Sequence, residues 1–320
     1  MSEAVVPGRC CWAVLLTHAQ YLPGIAVLRH SLARHHTRFP LVVMVTPDVD
    51  APTRRVLQAM RCVVRDVLPW TVDVPSSSMA NARFAHVWTK LRAFSLVEYG
   101  RVVLLDSDML VCRSVDELMD IALPRGCIAA CSACTCNPNA IASYPRSWMP
   151  ANCAYTAREN GVPMSFPMPT PPDTHALLNS GVVVLTPSLQ DERQLAAFID
   201  EHPERIAAYK FPDQDLLADV YAARWVPLAW HYNALKTLRR CHARLWADGD
   251  VRIIHYILDK PWNTDPHAAH ADADVHAWWW ATYGELAAAP ELLGLARAQF
   301  RTQVALHVSM SLGKIGNITD

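Results

Sequence analysis

Apolar positions along the chain fall into two patterns. Short unbroken runs occur at 12–16 (Trp12-Ala13-Val14-Leu15-Leu16), 41–45 and 102–105. Runs that do not alternate with polar residues predict strands buried on both faces. Between the first two runs, Leu22, Ile25, Leu28 and Leu32 recur at helical spacing and predict an amphipathic helix over 21–34. Pro52 opens a second helix reaching about residue 60, and 62–67 reads as a third strand. This β-α-β-α-β order predicts a parallel sheet with right-handed crossovers. Val87, Leu91 and Phe94 mark a helix expected to end at a C′ glycine, Gly100.

Further along, 116–121 reads as a short helix and 127–130 as a short strand. A strand is expected at 178–185, helices over 190–200 and through Leu216, Leu217 and Val220, and a late strand at 251–256. Residues 132–176, rich in Pro, Asn and Ser, form a long irregular stretch, which in a compact domain is usually a functional lid or insertion. From Ala273 two helices are expected. Three adjacent tryptophans, Trp278, Trp279 and Trp280, cannot share one helical face, so at least one should be exposed or pack elsewhere.

The chemistry centres on Asp106 and Asp108, which follow the run 102–105. In an open α/β sheet, ligands bind outside the C-terminal ends of the strands. In an extended segment residues i and i+2 point the same way, and two such carboxylates repel unless a cation lies between them. The alternative is a pair of surface aspartates. No glycine-rich phosphate loop follows the first strand, so a metal would have to serve a phosphorylated ligand. His255 ends the late strand. If all these strands share one parallel sheet, Asp106, Asp108 and His255 converge at one edge, a donor set suited to Mn²⁺. Lys260 would add positive charge near the phosphates. Each alone has a plainer reading, as a satisfied histidine and a solvated lysine. Asp213 sits near a helix N-terminus, where a carboxylate is favoured.

Composition narrows the field. The 320 residues are 52% hydrophobic and carry a formal net charge of −1, without a long basic run, which argues against a nucleic-acid partner. No apolar run approaches the roughly 18 residues of a membrane helix. The first eleven residues lack a basic n-region, so no signal peptide is expected. Ten cysteines without a secretion signal suggest reduced thiols and a cytoplasmic protein. Cys131, Cys134 and Cys136 lack the paired spacing of a zinc motif, so reduced thiols lining the loop, with Cys127 and Cys153, are expected ahead of structural zinc. The sequon Asn317-Ile318-Thr319 is taken as chance.

Several motifs in order resemble glycosyltransferase family 8, the glycogenin and galactinol synthase group. They are Thr89-Lys90-Leu91-Arg92-Ala93-Phe94 with Leu104-Leu105-Asp106-Ser107-Asp108, then Asn179-Ser180-Gly181-Val182, Asp213-Gln214, Tyr232-Asn233, and His255 with Lys260-Pro261-Trp262. The resemblance runs from Trp12 to Trp262. It implies a Rossmann-like nucleotide-sugar transferase fold of the GT-A type, α/β, with a mostly parallel central sheet. The catalytic domain would span 1–262, and 263–320 would be a helical appendage packed on it.

The resemblance also implies roles. Asp106, Asp108 and His255 would bind Mn²⁺, with Mg²⁺ as the substitute. Thr17, His18 and Tyr21 would contact the uridine, and Lys90 the donor phosphate or sugar. Ser107 lies between the metal ligands on the donor side. Asn179, Ser180, Asp213 and Gln214 would face the donor sugar and acceptor, and Lys260 would neutralise the leaving diphosphate. The reaction implied is transfer of a hexose from a UDP-sugar with retention.

Two departures stand out. The stretch from His255 to Lys260 lacks the glycine the family often has there, which puts the reach of Lys260 in doubt. No tyrosine lies between Asn233 and Arg252, which disfavours glycogenin-like self-glucosylation and favours a small hydroxyl acceptor such as a polyol, as in the galactinol synthase branch. A protein or glucan acceptor, a non-catalytic UDP-sugar-binding protein and a nucleotide-sugar hydrolase are the rivals. A homodimer is compatible with the sequence.

Overall fold

The computed structural model describes residues 10–72, 82–164, 166–167, 169, 173–288 and 295–316. Residues 1–9 of the stretch read for a leader, the serines Ser76, Ser77 and Ser78, most of 168–172 and the sequon at 317–319 lie outside the described residues.

The strands are β1 (Cys10–Leu16), β2 (Leu41–Val45), β3 (Val63–Asp66), β4 (Arg101–Leu105), β5 (Met109–Val111), β6 (Ile128–Ser132), β7 (Leu178–Leu185), β8 (Trp225–Pro227), β9 (Ala234–Leu235) and β10 (Ile253–His255). The α-helices are α1 (Leu22–Arg34), α2 (Ala51–Ala59), α3 (Ala154–Glu159), α4 (Leu189–Glu201), α5 (Pro203–Ala208), α6 (Pro212–Val220), α7 (Leu238–Cys241), α8 (Ala273–Ala288) and α9 (Leu295–Gly316). Seven strands form one sheet in the order β3-β2-β1-β4-β7-β6-β8, and β5-β10-β9 form a second.

The unbroken apolar runs divide by parity between two cores, as side chains alternating across a pleat must. Trp12, Val14 and Leu16 of β1 face one core with Val43, Val45, Val103 and Leu105. That side is covered by α1, α2, α8 and part of α9. Ala13, Val42, Met44, Val102 and Leu104 face the other, which α4 and α6 close together with a 3₁₀ segment, Ala82–Ser95. Local signals hold these helices in place: the Asp50 carboxylate accepts the Thr53 N–H at the start of α2, and the Ser188 hydroxyl accepts the Asp191 N–H at the start of α4.

The structure corrects three expectations. The segment before β4 is 3₁₀ rather than α-helical and ends at Ser95, whose hydroxyl donates back to the Arg92 carbonyl, so Gly100 does not cap it. The third strand is present as expected, as β3, the largely exposed edge of the large sheet. Asp106-Ser107-Asp108 is not extended: Ser107 and Asp108 form a turn between β4 in the large sheet and β5 in the small one. His255 accordingly does not lie in the parallel sheet. It reaches the carboxylates because β10 pairs antiparallel with β5, setting His255 opposite Met109, and the Tyr256 N–H bonds the Asp108 carbonyl at 2.9 Å.

β7 runs antiparallel between β4 and β6, with Val182 opposite Leu105. This reversal brings the start of β7, with Asn179 and Ser180, to the edge where β4 ends. Two glycines permit the close packing there. A Cβ on Gly181 would lie 2.5 Å from His255 Cε1 and 2.8 Å from Met109 Cε, and one on Gly24 in α1 would strike the Ser107 carbonyl and lie 2.6 Å from the Trp262 ring.

The two C-terminal helices expected from Ala273 are present. Trp279 is buried against Trp262 and stacks on Tyr283, while Trp278 and Trp280 are half-buried at the margin of the same core. Arg34 of α1 bonds Glu285 of α8 at 3.0 Å.

Gly24→Ala separates helix propensity from packing. Propensity alone would favour alanine by about 1 kcal/mol. The collision with the Ser107 carbonyl, which cannot rotate away, predicts a net loss of about 1–3 kcal/mol. Urea denaturation of the two proteins reads the sign directly.

Candidate active site

The carboxylate turn, β10 and the 3₁₀ turn that Lys260 caps place four ionisable groups together; the 3₁₀ segment before β4 adds Lys90 and α6 adds Asp213. His255 Nε2 lies 3.2 Å from Asp108 Oδ1 and 3.5 Å from Asp106 Oδ2. The other oxygen of each carboxylate is held by a lysine: Lys90 Nζ bonds Asp106 Oδ1 at 2.6 Å, and Lys260 bonds Asp108 Oδ2. Nε2, Oδ2 and Oδ1 thus form a triangle distinct from the two carboxylate oxygens that the ammonium groups hold. An octahedral ion with bonds of about 2.1 Å has ligand–ligand edges of about 3 Å. Two carboxylate oxygens and an imidazole near that spacing fit a hard divalent cation of the Mn²⁺ or Mg²⁺ type.

Lys90, Asp108, Asp213, His255 and Lys260 are buried. Burial would push the Asp108 carboxyl up, but the Lys260 ammonium and His255 beside it hold it well below the usual carboxylate range. Burial would likewise depress Lys90, yet Asp106 and Asp213, the latter at 3.0 Å, hold its ammonium above the ordinary value. Three carboxylates, from Asp106, Asp108 and Asp213, outnumber the two ammonium groups of Lys90 and Lys260 that bond them. A site so charged attracts a divalent cation, and the cation would leave it net positive for a diphosphate.

Lys260 reaches Asp108 despite the missing glycine. Leu258 takes the left-handed conformation itself, with φ 64°, at a cost of about 1–2 kcal/mol, and Lys260 also bonds the Tyr256 carbonyl at 2.9 Å.

A relay of side-chain amides fixes the orientation of the site. His255 Nδ1 donates to Asn233 Oδ1 at 2.9 Å, which leaves the Nε2 lone pair on the carboxylate side. Asn233 Nδ2 donates to Asn179 Oδ1 at 2.7 Å, which also accepts the Gly181 N–H. Asn179 Nδ2 donates to Gln214 Oε1 at 3.0 Å. The relay ends at Gln214 Nε2, a buried donor with no partner among the described residues. Leaving such a donor unmade costs about 1–3 kcal/mol, which a ligand oxygen would recover.

One pocket gathers nearly all the residues singled out in the sequence. Thr17, Tyr21, Lys90, Asp106, Ser107 and Asp108 line it, as do Asn179, Ser180, Asp213, Gln214, His255 and Lys260. His18 does not: it is exposed, and its ring nitrogen contacts the Thr17 hydroxyl. Most of the other wall comes from the irregular stretch after β6, expected from its length and composition to be a lid or insertion, though its aromatic residues were not singled out. Tyr144 and Trp148 of that stretch form an aromatic cluster with Phe211, which precedes α6; the Trp148 and Phe211 rings stack at 4.8 Å and Tyr144 lies edge-on to both. Asn233 matched a motif, but its bond to His255 was not predictable from spacing.

Comparison with known proteins bears on the family and the fold. The profile described as "Glycosyl transferase family 8" matches residues 13–265. Galactinol synthase 6 of Arabidopsis thaliana is 25% identical over 272 residues, covering 83% of this chain and 78% of that protein. Galactinol synthase 1 of Ajuga reptans is 27% identical over 273 residues, with the same two coverages. Among solved structures, the galactosyltransferase LgtC in complex with donor and acceptor sugar analogues superposes with a TM-score of 0.57 at 17% identity, covering 91% of this chain and 99% of that one. The glycosyltransferase GlyE in Streptococcus pneumoniae TIGR4 gives 0.56 at 17% identity, covering 93% and 64%. At such identity the structures share the fold alone, that of glycosyltransferases. The family match spans most of the chain: the protein belongs to glycosyltransferase family 8 and resembles its galactinol synthase branch.

Proposed function

We propose that the protein is a retaining hexosyltransferase that moves a hexose from UDP-glucose or UDP-galactose to a hydroxyl of a small acceptor such as a polyol. Mn²⁺ would be held by Asp106, Asp108 and His255. The observation that carries the reading is the triangle of His255 Nε2, Asp106 Oδ2 and Asp108 Oδ1, flanked by two buried lysines at the sheet edge. When bound, the cation supplies positive charge to the diphosphate as UDP leaves.

The remaining steps fall to the chain itself. Lys260 and Lys90 stand ready to stabilise negative charge on the leaving diphosphate. Asp213, buried beside Lys90, presents a carboxylate to the positive charge that develops at the anomeric carbon. Gln214 donates its free N–H to an oxygen of the sugar or acceptor, and Asn179 and Ser180 orient the same region. Thr17 and Tyr21, after β1, stand on the side assigned to the uridine. Attack from the face that the diphosphate leaves, within an ion pair, gives retention without a covalent nucleophile.

The aromatic wall of Tyr144, Trp148 and Phe211 supports a small acceptor, since flat rings match the C–H faces of a sugar or cyclic polyol. The absence of a tyrosine between Asn233 and Arg252 speaks against self-glucosylation. No described helix is long and apolar enough to cross a membrane. The ten free cysteines support a reducing compartment, and we place the reaction in the cytoplasm.

Three outcomes follow. UDP-glucose or UDP-galactose with Mn²⁺ should release UDP in a coupled assay, and Asp108→Ala should abolish that release. No binding or turnover of any UDP-sugar with any divalent metal would overturn the reading. Asn233→Ala should weaken Mn²⁺ binding about 10- to 100-fold in an EPR titration, by freeing the His255 ring; unchanged affinity would remove the relay from the metal site. Trp148→Ala should raise the acceptor KM about tenfold, corresponding to about 1.4 kcal/mol, with donor hydrolysis retained. Loss of donor hydrolysis instead would put this wall on the donor side.

A further inference from the structure

A second cluster of metal-ligating side chains adjoins the pocket, which one of its members, Cys134, lines. Cys134 and Cys136 follow β6, Cys153 caps the start of α3, and His242 caps the end of α7. Their ligand atoms all lie within 4.8 Å of one another. His242 Nε2 is 3.2 Å from Cys136 Sγ, 3.5 Å from Cys153 Sγ and 3.6 Å from Cys134 Sγ, and the Cys134 and Cys153 sulfurs are 4.0 Å apart. With Zn–S bonds near 2.3 Å and Zn–N near 2.0 Å, a tetrahedral site has S···N edges of about 3.5 Å and S···S edges of about 3.8 Å. The observed separations sit on those edges. They are too long for a disulfide, whose sulfurs lie about 2.05 Å apart, and the cysteines are free.

The surroundings prepare the histidine as a ligand. Glu159, at the end of α3, accepts from His242 Nδ1 at 3.1 Å through one carboxylate oxygen. The other oxygen accepts the backbone N–H groups of Arg244 and Leu245 at 3.1 and 3.2 Å. A carboxylate anchored in this way fixes the ring so that Nε2 points at the three sulfurs. Cys136, Cys153 and His242 are buried. Cys131, grouped with this loop in the sequence, is not a member: its sulfur lies 3.2 Å from the Ala229 carbonyl. Cys241, next to His242, brings a further thiol against Cys134 and Cys136.

We propose that Cys134, Cys136, Cys153 and His242 form a structural zinc site. Four protein ligands close the coordination sphere, so the ion is not catalytic. Soft thiolates separate its chemistry from that of the carboxylate triangle, which takes hard cations. Each cysteine gives up its proton on binding, so zinc loading releases protons. The ion ties the irregular stretch 133–159 to α7. Cys134, Ile141, Tyr144 and Trp148 from that stretch and Thr237 beside α7 line the pocket, so the site fixes the position of the wall carrying the aromatic cluster. Zinc binding does not depend on the proposed activity; only the identity of this wall as the acceptor side rests on it.

Metal analysis of the full chain tests the site without reference to transfer. After dialysis against EDTA the protein should retain one zinc per chain, released by a mercurial reagent in the presence of a zinc indicator dye. Asp108→Ala should keep the zinc. Glu159→Gln should weaken zinc binding about 10- to 100-fold without removing a ligand, and the cobalt-substituted protein should show the thiolate charge-transfer and ligand-field bands of a tetrahedral site. Should Cys136→Ser fail to fold, the wild-type zinc content and cobalt spectrum decide the matter alone. A zinc-replete preparation that holds no zinc, or zinc lost in Asp108→Ala, would overturn the proposal.

Discussion

His255 meets the two aspartates because β10 pairs antiparallel with β5, the strand that leaves the carboxylate turn. The chain changes sheets within the turn, and three backbone bonds lock the change. Asp106 donates to the Gly181 carbonyl, Tyr256 donates to the Asp108 carbonyl, and Lys236 donates to the His255 carbonyl. Elements far apart in sequence thereby become neighbours, and no side chain on Gly181 intrudes between the imidazole and β7. Hydrogen bonds between main-chain groups set the distance between charges that would otherwise repel. The electrostatics of the pocket depend on that scaffold.

The charges in turn explain why, Gln214 Nε2 apart, the polar groups around them are matched. A buried carboxylate left without its cation is costly, and removing one partner of a buried pair typically costs about 3–5 kcal/mol. Asp106 and Asp108 each spend one oxygen on a lysine, leaving the other turned to His255. Lys90 spans Asp106 and Asp213, so the metal side and the sugar side of the pocket share one ammonium group. A change at either carboxylate would therefore be felt at the other through that side chain.

Much of this was legible in the sequence, and the limits have physical causes. Unbroken apolar runs gave the sheet because strands covered on both faces need apolar residues at every position. The Asp106, Asp108 and His255 set was recoverable because each residue ends or follows a strand. The route by which they meet was not, since a run of apolar residues does not say which sheet a strand joins or in which direction. The 3₁₀ character of Ala82–Ser95 was hidden because its apolar spacing also fits an α-helix. His242 was invisible as a partner of the cysteines: it lies 89 residues beyond Cys153, and a lone histidine carries no spacing signal. Leu258 shows the reverse case, a positive φ met without the expected glycine.

The family match ends at residue 265, but the contacts that steady the pocket do not. The Tyr256 hydroxyl donates to the Val275 carbonyl, Lys236 pairs with Asp272, and Trp279 lies against Trp262, two residues after Lys260. Helix α8 therefore buttresses from behind the segment whose front face carries His255 and Lys260. The family profile and the mechanical unit have different borders in this chain. A protein trimmed at residue 265 would retain every proposed ligand and lose the wall they lean on.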